Sequence, residues 1–531
     1  MSGEVMWALL LGGAAPAAGD QPPAVVVVAP ATDTLGQAIA DAYRSNPALE
    51  AQRARLRTID EQVVQAGAPY RLRAQLNASL NYQDQRQQNF LGRFVDVENR
   101  TMGARVSVSQ ILLNGGRTAA AVSTAEAQVL AGREELRAAE NATLYEVVDA
   151  FAAVLRDQAL VAIQRRSVES YGRQVDQAVA RERGGELTRT DIAQASAQRE
   201  IIRAQLAQAE ANLQTSRIRF ASAVGRNPGA LVPPPVLPGL PATLDEAFAV
   251  AEAEAPTLWQ ARMIARAGDA RVSAERAERA PTLAVSGSYG YSSIGDYRVR
   301  DLRPEVIGGV TMTVPLLTGG VIGSRVRAAV ADRQRLGFEV EGARRDVLAR
   351  TQEAWNQSVA AAQQRELGRL AVDAGRTALT GVRRSFGEGF RSNFEVLDSE
   401  QRLLNAQVLE VQAIYAAYVA KARVLAVLGR LQAATVAQGV PAYDDAVNLR
   451  RAKGATFGPF DPFLAPIDRA SMPGAAIKAP PVVPVATDTR LRPAAVTELP
   501  GPLGNALPVG GAPVLMLPTI DELGDAGVTG G

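Results

Sequence analysis

The stretch VTMTVPLLTGG, residues 310–320, predicts a direct passage from a strand into a helix. Apolar residues alternate with threonines over VTMTV, which is the two-residue period of a β-strand. Pro315 has no N–H to donate to a neighbouring strand and so predicts the end of the strand. Gly319 and Gly320 follow, and an alanine-rich polar pattern after them predicts one very long helix.

The chain contains this junction twice. In VSVSQILLNGG, residues 106–116, an ungapped shift places Gly115 on Gly319 and Gly116 on Gly320. The same shift matches Leu112 with Leu316, Gly185 with Gly389, Gln208 with Gln412 and Arg226 with Arg430. Further upstream, TLGQAIADAYRSNPALEAQ matches TLDEAFAVAEAEAPTLWQA. Glycines held in register over this length indicate a tandem duplication.

Composition excludes several classes of function. The 531 residues carry 57 basic and 55 acidic side chains, a net charge of +2, which argues against a nucleic-acid partner. The absence of cysteine and histidine removes thiol or imidazole nucleophiles and the usual zinc sites. No positioned base accompanies the glutamates of the helices, so the sequence predicts a protein that is not an enzyme and binds no cofactor or metal.

The N-terminal residues 1–18 predict a secretory signal, because an apolar run ends in small residues. This segment departs from the usual pattern, since Glu4 is acidic and no basic residue precedes the apolar run. Residues 19–33 are interpreted as a linker. No stretch of eighteen apolar residues exists, so no transmembrane helix is predicted.

Two hairpins of alternating strands are predicted, at about 72–112 and 282–316, with polar loops at 83–100 and 294–303. Each strand has an apolar and a polar face over about ten residues, the length of a membrane-spanning strand. A soluble sheet is the alternative, but the surrounding polar, alanine-rich helices offer no apolar layer to cover it. Four strands cannot close a barrel, so several chains must contribute.

Long helices separate the hairpins, and two shorter helices joined by a proline-rich linker match the length of one long helix. The first repeat spans 34–226, the linker 227–242 and the second repeat 243–431. The predicted helices cover residues 34–68, 117–183, 188–224, 243–279, 324–386 and 392–431. Residues 432–531 are rich in proline and glycine and predict a flexible tail, dispensable beyond about Ala442.

Three features occur together: the duplicated TLxxA segment at the start of each repeat, the two strand-to-helix junctions, and FGEGFRSNFEVLDSEQRLLNAQ at 386–407. In these features the chain resembles the TolC family of outer-membrane channels. The resemblance covers about 34–431. It implies a homotrimer with one twelve-stranded outer-membrane β-barrel, continued by a periplasmic α-helical tunnel. It further implies an exit duct for drugs or secreted proteins, with a periplasmic adaptor and an inner-membrane RND or ABC transporter as partners. From the residues alone, a soluble periplasmic coiled-coil adaptor or scaffold is the alternative.

Candidate functional residues cluster at the helix tips. Glu395 and Asp398 are three residues apart and share one helix face. The resemblance implies that they form an acidic constriction that selects cations, and that Arg391 and Asp191 hold the closed tip together. Phe386 stands where many family members carry a tyrosine that joins those links. The alternative is a solvated helix face with weak ion pairs.

Glycines at both tips are turn signals first and candidate adaptor-docking sites second. These glycines are Gly184, Gly185, Gly387 and Gly389. A few aromatic residues of the strands could form a membrane-interface girdle or could simply pack within the sheet. They are Tyr82, Phe94, Tyr289 and Tyr291.

Overall fold

The structure is a computed structural model that describes residues 33–294, 297–437, 440–455 and 460–473. The predicted signal at 1–18, the linker before Asp33 and the tail beyond residue 473 lie outside the described residues. All of the described residues belong to one contiguous unit within Met1–Thr489.

Eight helices belong to the two repeats, and two of them, α3 and α7, have 67 residues each. In chain order they are α1 Leu35–Ser45, α2 Pro47–Ala66, α3 Arg117–Arg183, α4 Arg189–Val224, α5 Leu244–Glu254, α6 Pro256–Ala277, α7 Val321–Gly387 and α8 Asn393–Leu428. Helix α3 packs along α2 and α6 and, further on, along α4 and α8, while α7 packs along α6 and α8. One long helix thus lies beside two shorter ones, as the lengths in the sequence predict.

The helix boundaries follow from local capping chemistry. The Thr34 hydroxyl accepts the N–H of Gln37 and the Gln37 side chain accepts the N–H of Thr34, a capping box that starts α1. The Asn46 side chain caps α2, whose first residue is Pro47. A buried core then joins α1, α3, α4 and the end of α8, with the Phe151 and Phe220 rings 6.3 Å apart.

Four antiparallel strands form one sheet in the order β1-β2-β3-β4. They are β1 Arg73–Gln88, β2 Phe94–Leu113, β3 Thr282–Ile294 and β4 Arg303–Thr313. The register places Leu76, Val106, Tyr289 and Val306 side by side, so an apolar row crosses all four strands. The next row contains Asn77, Arg105, Gly290 and Glu305, with an ion pair between Arg105 and Glu305. The sheet therefore has the two unlike faces that the alternation predicts.

The predicted loop at 83–100 is wrong in most of its length. The β1–β2 ladder continues to the pair Gln88 and Phe94, and only residues 89–93 form the turn. Polar residues occupy both faces of this extension, so hydropathy alternation cannot reveal it. In the second hairpin Ile294 still belongs to β3, and β4 ends two residues before Pro315.

The prediction of a flexible tail is wrong for residues 433–473, where three short helices pack against the repeats. They are α9 Ala433–Val436, α10 Val447–Ala455 and α11 Asp461–Ala470. On α10, the Asn448 side-chain amide donates to Asp60 at 3.0 Å. The helices are short and their partners are distant in sequence, so no long hydrophobic period marks them.

Helix α8 is long and apolar enough, by composition alone, to cross a membrane, and it is the one such helix in the described part of the chain. Its buried side chains pack against α7 and α3. This packing is typical of a helix inside a bundle. Charged residues interrupt its apolar residues, so a search of the sequence for eighteen consecutive apolar residues does not find it.

Candidate functional site at the helix tips

Two exposed turns form the tip of the molecule. The first joins α3 to α4 through Gly184 and Gly185, and the second joins α7 to α8 through Gly389. Gly185 and Gly389 adopt left-handed backbone angles, with φ of 79° and 82°, which side chains resist. A Cβ added at Gly185, Gly387 or Gly389 would meet no described atom within 4 Å, so the backbone of both turns is open to approach.

Asp191 is engaged in capping its own helix. Its Oδ2 accepts from the Thr188 N–H at 2.9 Å and from the Thr188 hydroxyl at 2.7 Å. These two hydrogen bonds, first the one from the hydroxyl, lower the pKa of Asp191. Within the protomer, the residue therefore organises the start of α4. The part that the resemblance implies for Asp191 in holding the closed tip together stays a prediction.

Glu395 and Asp398 lie in the first turns of α8, which Ser392 caps. The Arg391 Nη1 atom lies 3.0 Å from Glu395 Oε2, and the Arg402 Nη2 atom lies 2.9 Å from Asp398 Oδ2. Each carboxylate therefore pairs with an arginine four residues away, in opposite directions along the helix. Both acidic side chains remain about 40% exposed, at 39% and 42%, so they are available to solvent ions.

Glu400 is a functional candidate that the sequence analysis missed. Its side chain is 6% exposed, forms an ion pair with Arg383 of α7 and accepts from the Ser170 hydroxyl of α3 at 3.4 Å. One buried carboxylate thus connects three helices close to the tip. Its sequence signal is its place in the apolar stripe of α8, between Leu397 and Leu404, where a charged residue must find partners.

Phe386 contacts α3 through its ring. The Arg181 guanidinium lies 4.6 Å from the ring centroid, a cation–π contact between the ends of α3 and α7. Between the same two hairpins, the Gln198 amide of α4 donates to Gln401 of α8 at 2.7 Å. The phenylalanine thus joins the two helical hairpins without the hydroxyl that the family pattern leads one to expect.

A cavity of about 340 Å³ lies between the hairpins at this level. Arg173, Gln174, Arg181, Arg383, Phe386 and Asn393 line it. In the described part of the chain no group of three or more carboxylates is placed to hold a metal ion. One protomer therefore offers ion-paired carboxylates at its tip rather than a preformed metal site.

The four junction glycines differ in what surrounds them. All have positive φ, between 57° and 84°. A Cβ on Gly115 would lie 2.0 Å from Ala280 Cβ, and one on Gly116 would lie 2.3 Å from Met472 Cα. No described atom lies within 4 Å of a Cβ at Gly319 or Gly320. The glycines of the first junction are thus required for close packing, whereas those of the second are required among the described residues only for their backbone conformation.

Comparison with known proteins agrees with this architecture. The model of the outer membrane efflux protein family matches residues 38–226 and 249–430. The outer membrane efflux protein BepC of Brucella suis is 29% identical over 429 residues, which cover 80% of this chain and 92% of BepC. The alkaline protease secretion protein AprF of Pseudomonas aeruginosa is 26% identical over 53% of this chain and 60% of AprF.

Among solved structures, the outer membrane protein VceC of Vibrio cholerae superposes with a TM-score of 0.63 at 22% identity. The superposition covers 74% of this chain and 96% of VceC. The fold is that of a TolC-like channel protomer, as the sequence predicts, and the protein is located in the outer membrane. The chain belongs to the outer membrane efflux protein family.

Proposed function

We propose that three copies of this chain form one exit duct, in which a twelve-stranded barrel in the outer membrane opens into a helical tunnel in the periplasm. Cargo would enter from an inner-membrane transporter through a periplasmic adaptor and leave outside the cell. Membership of the efflux family supports a channel function. The number three rests on the resemblance to TolC-like channels.

The open sheet is the observation that carries this proposal. β1 and β4 are the two edges of a four-stranded sheet crossed by the apolar row defined by Leu76. Unpaired edge N–H and C=O groups each cost several kcal/mol in hydrocarbon. Pairing β1 of one copy with β4 of the next satisfies both edges, and three copies supply more than the roughly eight strands that a barrel needs.

The tips would form the gate of the duct. In a trimer, Glu395 and Asp398 would supply two levels of carboxylate near the axis, and Arg391 with Asp191 would contribute to closure. The open backbone at Gly184, Gly185, Gly387 and Gly389 would let an adaptor approach closely. Within each protomer, Glu395 pairs with Arg391 and Asp398 pairs with Arg402. These arginines would neutralise part of the negative charge of the two carboxylate levels.

The cargo would be either drugs or a secreted protein. BepC is named as an efflux protein and AprF as a protease secretion protein. The match to BepC spans more of both chains, which favours efflux over protein secretion. A strain lacking this protein should then accumulate dyes or detergents, whereas loss of an extracellular protein instead would identify a secretion duct.

Mass and membrane attachment test the duct itself. The protein extracted in mild detergent should have the mass of about three chains, each 56.0 kDa less the predicted signal, by light scattering corrected for detergent. It should also remain in membranes washed with carbonate. A monomer released by carbonate would instead support the second candidate function, a soluble periplasmic adaptor or scaffold. The open sheet, with one apolar and one polar face, argues against that function.

A further inference from the structure

Helix α11 carries an exposed apolar face that no other described element covers. Phe460, just before the helix, is 47% exposed, Phe463 is 70% exposed and Ile467 is 55% exposed. They follow one another at three and four residues, which places them on one side of the helix. Large apolar side chains gathered in this way mark a contact surface rather than scattered exposure.

The side of α11 that faces the protein is fixed by polar contacts. Asp468 is 2% exposed, and its carboxylate accepts from the backbone N–H groups of Gly116 and Ala119 at 2.8 and 3.0 Å. The Tyr70 hydroxyl donates to the same carboxylate at 2.9 Å. Because these bonds fix the side of α11 that carries Asp468 against the protein, Phe463 and Ile467 are left on its exposed side.

The position of α11 places this face at the base of the strands. Asp461 at its start lies 3.6 Å from Arg71, two residues before β1, and the helix also contacts β2 and the start of α3. Exposed apolar side chains begin at the same level: Leu72, just before β1, is 52% exposed, and Leu76 of β1 is 69% exposed. The exposed face of α11 is thus adjacent to the point where the lipid-facing strands begin.

We propose that α11 docks on the outer membrane from the periplasmic side, with Phe460, Phe463 and Ile467 among the acyl chains of the phospholipid leaflet. Arg469, also exposed, would lie among the phosphate groups. The inference rests on the proposed insertion of the strands as a barrel, since only that insertion brings a bilayer to this level. The docked helix would tie the start of α3 to the membrane surface.

The absence of cysteine from the chain permits a direct test in the full-length protein. A nitroxide spin label is attached to Phe463→Cys, and the protein is reconstituted into vesicles of phosphatidylethanolamine and phosphatidylglycerol. Collision rates are measured with oxygen, which concentrates in the bilayer, and with a water-soluble nickel chelate. Leu76→Cys serves as the lipid reference and Phe390→Cys, at the 80% exposed tip position, as the water reference.

The expected oxygen-to-nickel accessibility ratio at position 463 is several-fold above that at position 390 and close to that at position 76. Ile467→Cys, one turn further on, should behave like position 463. A label at 463 that matches position 390 would overturn the proposal, because the face would then be in water. A label shielded from both reagents would also overturn it, because protein, such as a second copy of the chain, would cover the face.

The reference position separates this inference from the proposed function. If Leu76→Cys is itself accessible to nickel and not to oxygen, the strands are not in lipid. The barrel proposal is then wrong, and the docking of α11, which rests on it, is wrong as well. If Leu76→Cys is in lipid and both positions on α11 are in water, the barrel stands and the docking of α11 alone is wrong.

Discussion

The Asp468 carboxylate accepts the backbone N–H of Ala119 at 3.0 Å, although the two residues are 349 positions apart in the chain. Helix α3 begins after Gly116, which has no side chain to cap the free N–H groups of the first turn. Asp468 supplies that cap from the C-terminal segment, where its charge also favours the positive end of the helix. The first turn of α7 begins after Gly320 without a side-chain cap from the described residues.

The Asp468→Ala variant should destabilise the start of α3 by about 1–3 kcal/mol, because a buried cap is lost and its donors are left unpaired. Hydrogen exchange should become faster in peptides covering residues 116–124. Peptides covering residues 320–328 form the internal control, since α7 has the equivalent start and lacks this cap. Equal acceleration at both junctions, or none at either, would contradict the proposed role of Asp468.

Two truncations should separate the packed part of the tail from the remainder. A chain ending after residue 473 keeps α10, α11 and the Asp468 cap, so its thermal stability should match that of the full chain. A chain ending after Ala442 loses these contacts and the ion pair between Lys453 and Glu126, and it should melt at a lower temperature. Thermal unfolding of the two purified proteins, followed by circular dichroism, is the measurement. Identical melting temperatures would support the prediction that the tail beyond about Ala442 is dispensable.

Arg383 and Arg384 offer a matched pair at the tip. The Arg383→Ala variant should destabilise the junction of α3, α7 and α8 by about 1–3 kcal/mol, because it leaves the buried Glu400 carboxylate without its cation. The Arg384→Ala variant removes an arginine that is 84% exposed and pairs with Glu388 at 3.3 Å, and it should be nearly neutral. Proteolysis at the tip and thermal unfolding compare the two variants. Equal effects would mean that Glu400 does not depend on Arg383.

The long elements and the duplication could be predicted because their signals are local and repeated. The predicted bounds of the long helix after Gly116 coincide with those of α3, since capping, glycine turns and a three-to-four residue period act within the segment itself. The extension of β1 to Gln88 could not be predicted, because hydrogen bonding in the ladder continues where alternation of hydropathy ends. The role of Asp468 depends on a contact between distant segments, which one sequence does not reveal.

The tip could be predicted in part. Spacing placed Glu395 and Asp398 on one helix face, and their local arginine partners follow from i, i+4 spacing. The three-helix role of Glu400 could not be predicted, because its partners Arg383 and Ser170 lie on two other helices and the sequence does not show which helices pack together. The roles of the tip residues in gating remain predictions.

The contact between Tyr43 of α1 and Glu140 of α3 should be sensitive to pH. The Tyr43 hydroxyl donates to Glu140 at 3.0 Å, but burial outweighs this bond and raises the pKa of the Glu140 carboxyl above its usual value. A raised carboxyl pKa gives stability that is fully present below the unfolded-state pKa, near 4.5, and is lost as the pH rises through the folded-state pKa. Ionised Glu140 therefore costs stability at pH 7.

The Glu140→Gln variant keeps an acceptor for Tyr43 and cannot ionise. It should melt at a higher temperature than the natural protein at pH 7, and the difference should shrink as the pH falls towards about 4.5. Glu169→Gln, an exposed position on the same helix, is the control and should leave the pH profile unchanged. A difference that grows on acidification would mean that the carboxylate form of Glu140 is the stabilised one.

The acidic pair of α8 should control ion passage in the assembled channel. Two carboxylates from each chain, brought together around a narrow axis, face little screening and should attract cations. The Glu395→Ala/Asp398→Ala double variant should therefore lower cation selectivity and weaken block by divalent cations in single-channel recordings. Arg391→Ala should instead raise the conductance, because it removes a predicted link of the closed tip.

Arg402→Ala is the matched control for this experiment. Arg402 pairs with Asp398 at 2.9 Å and has no predicted part in closing the tip. Its removal leaves Asp398 unneutralised, so cation selectivity should increase while the conductance of the closed channel stays low. Should the double variant keep the selectivity and divalent block of the natural protein, Glu395 and Asp398 are a solvated helix face. The constriction would then lie elsewhere, and the buried Glu400 contact would become the first place to examine.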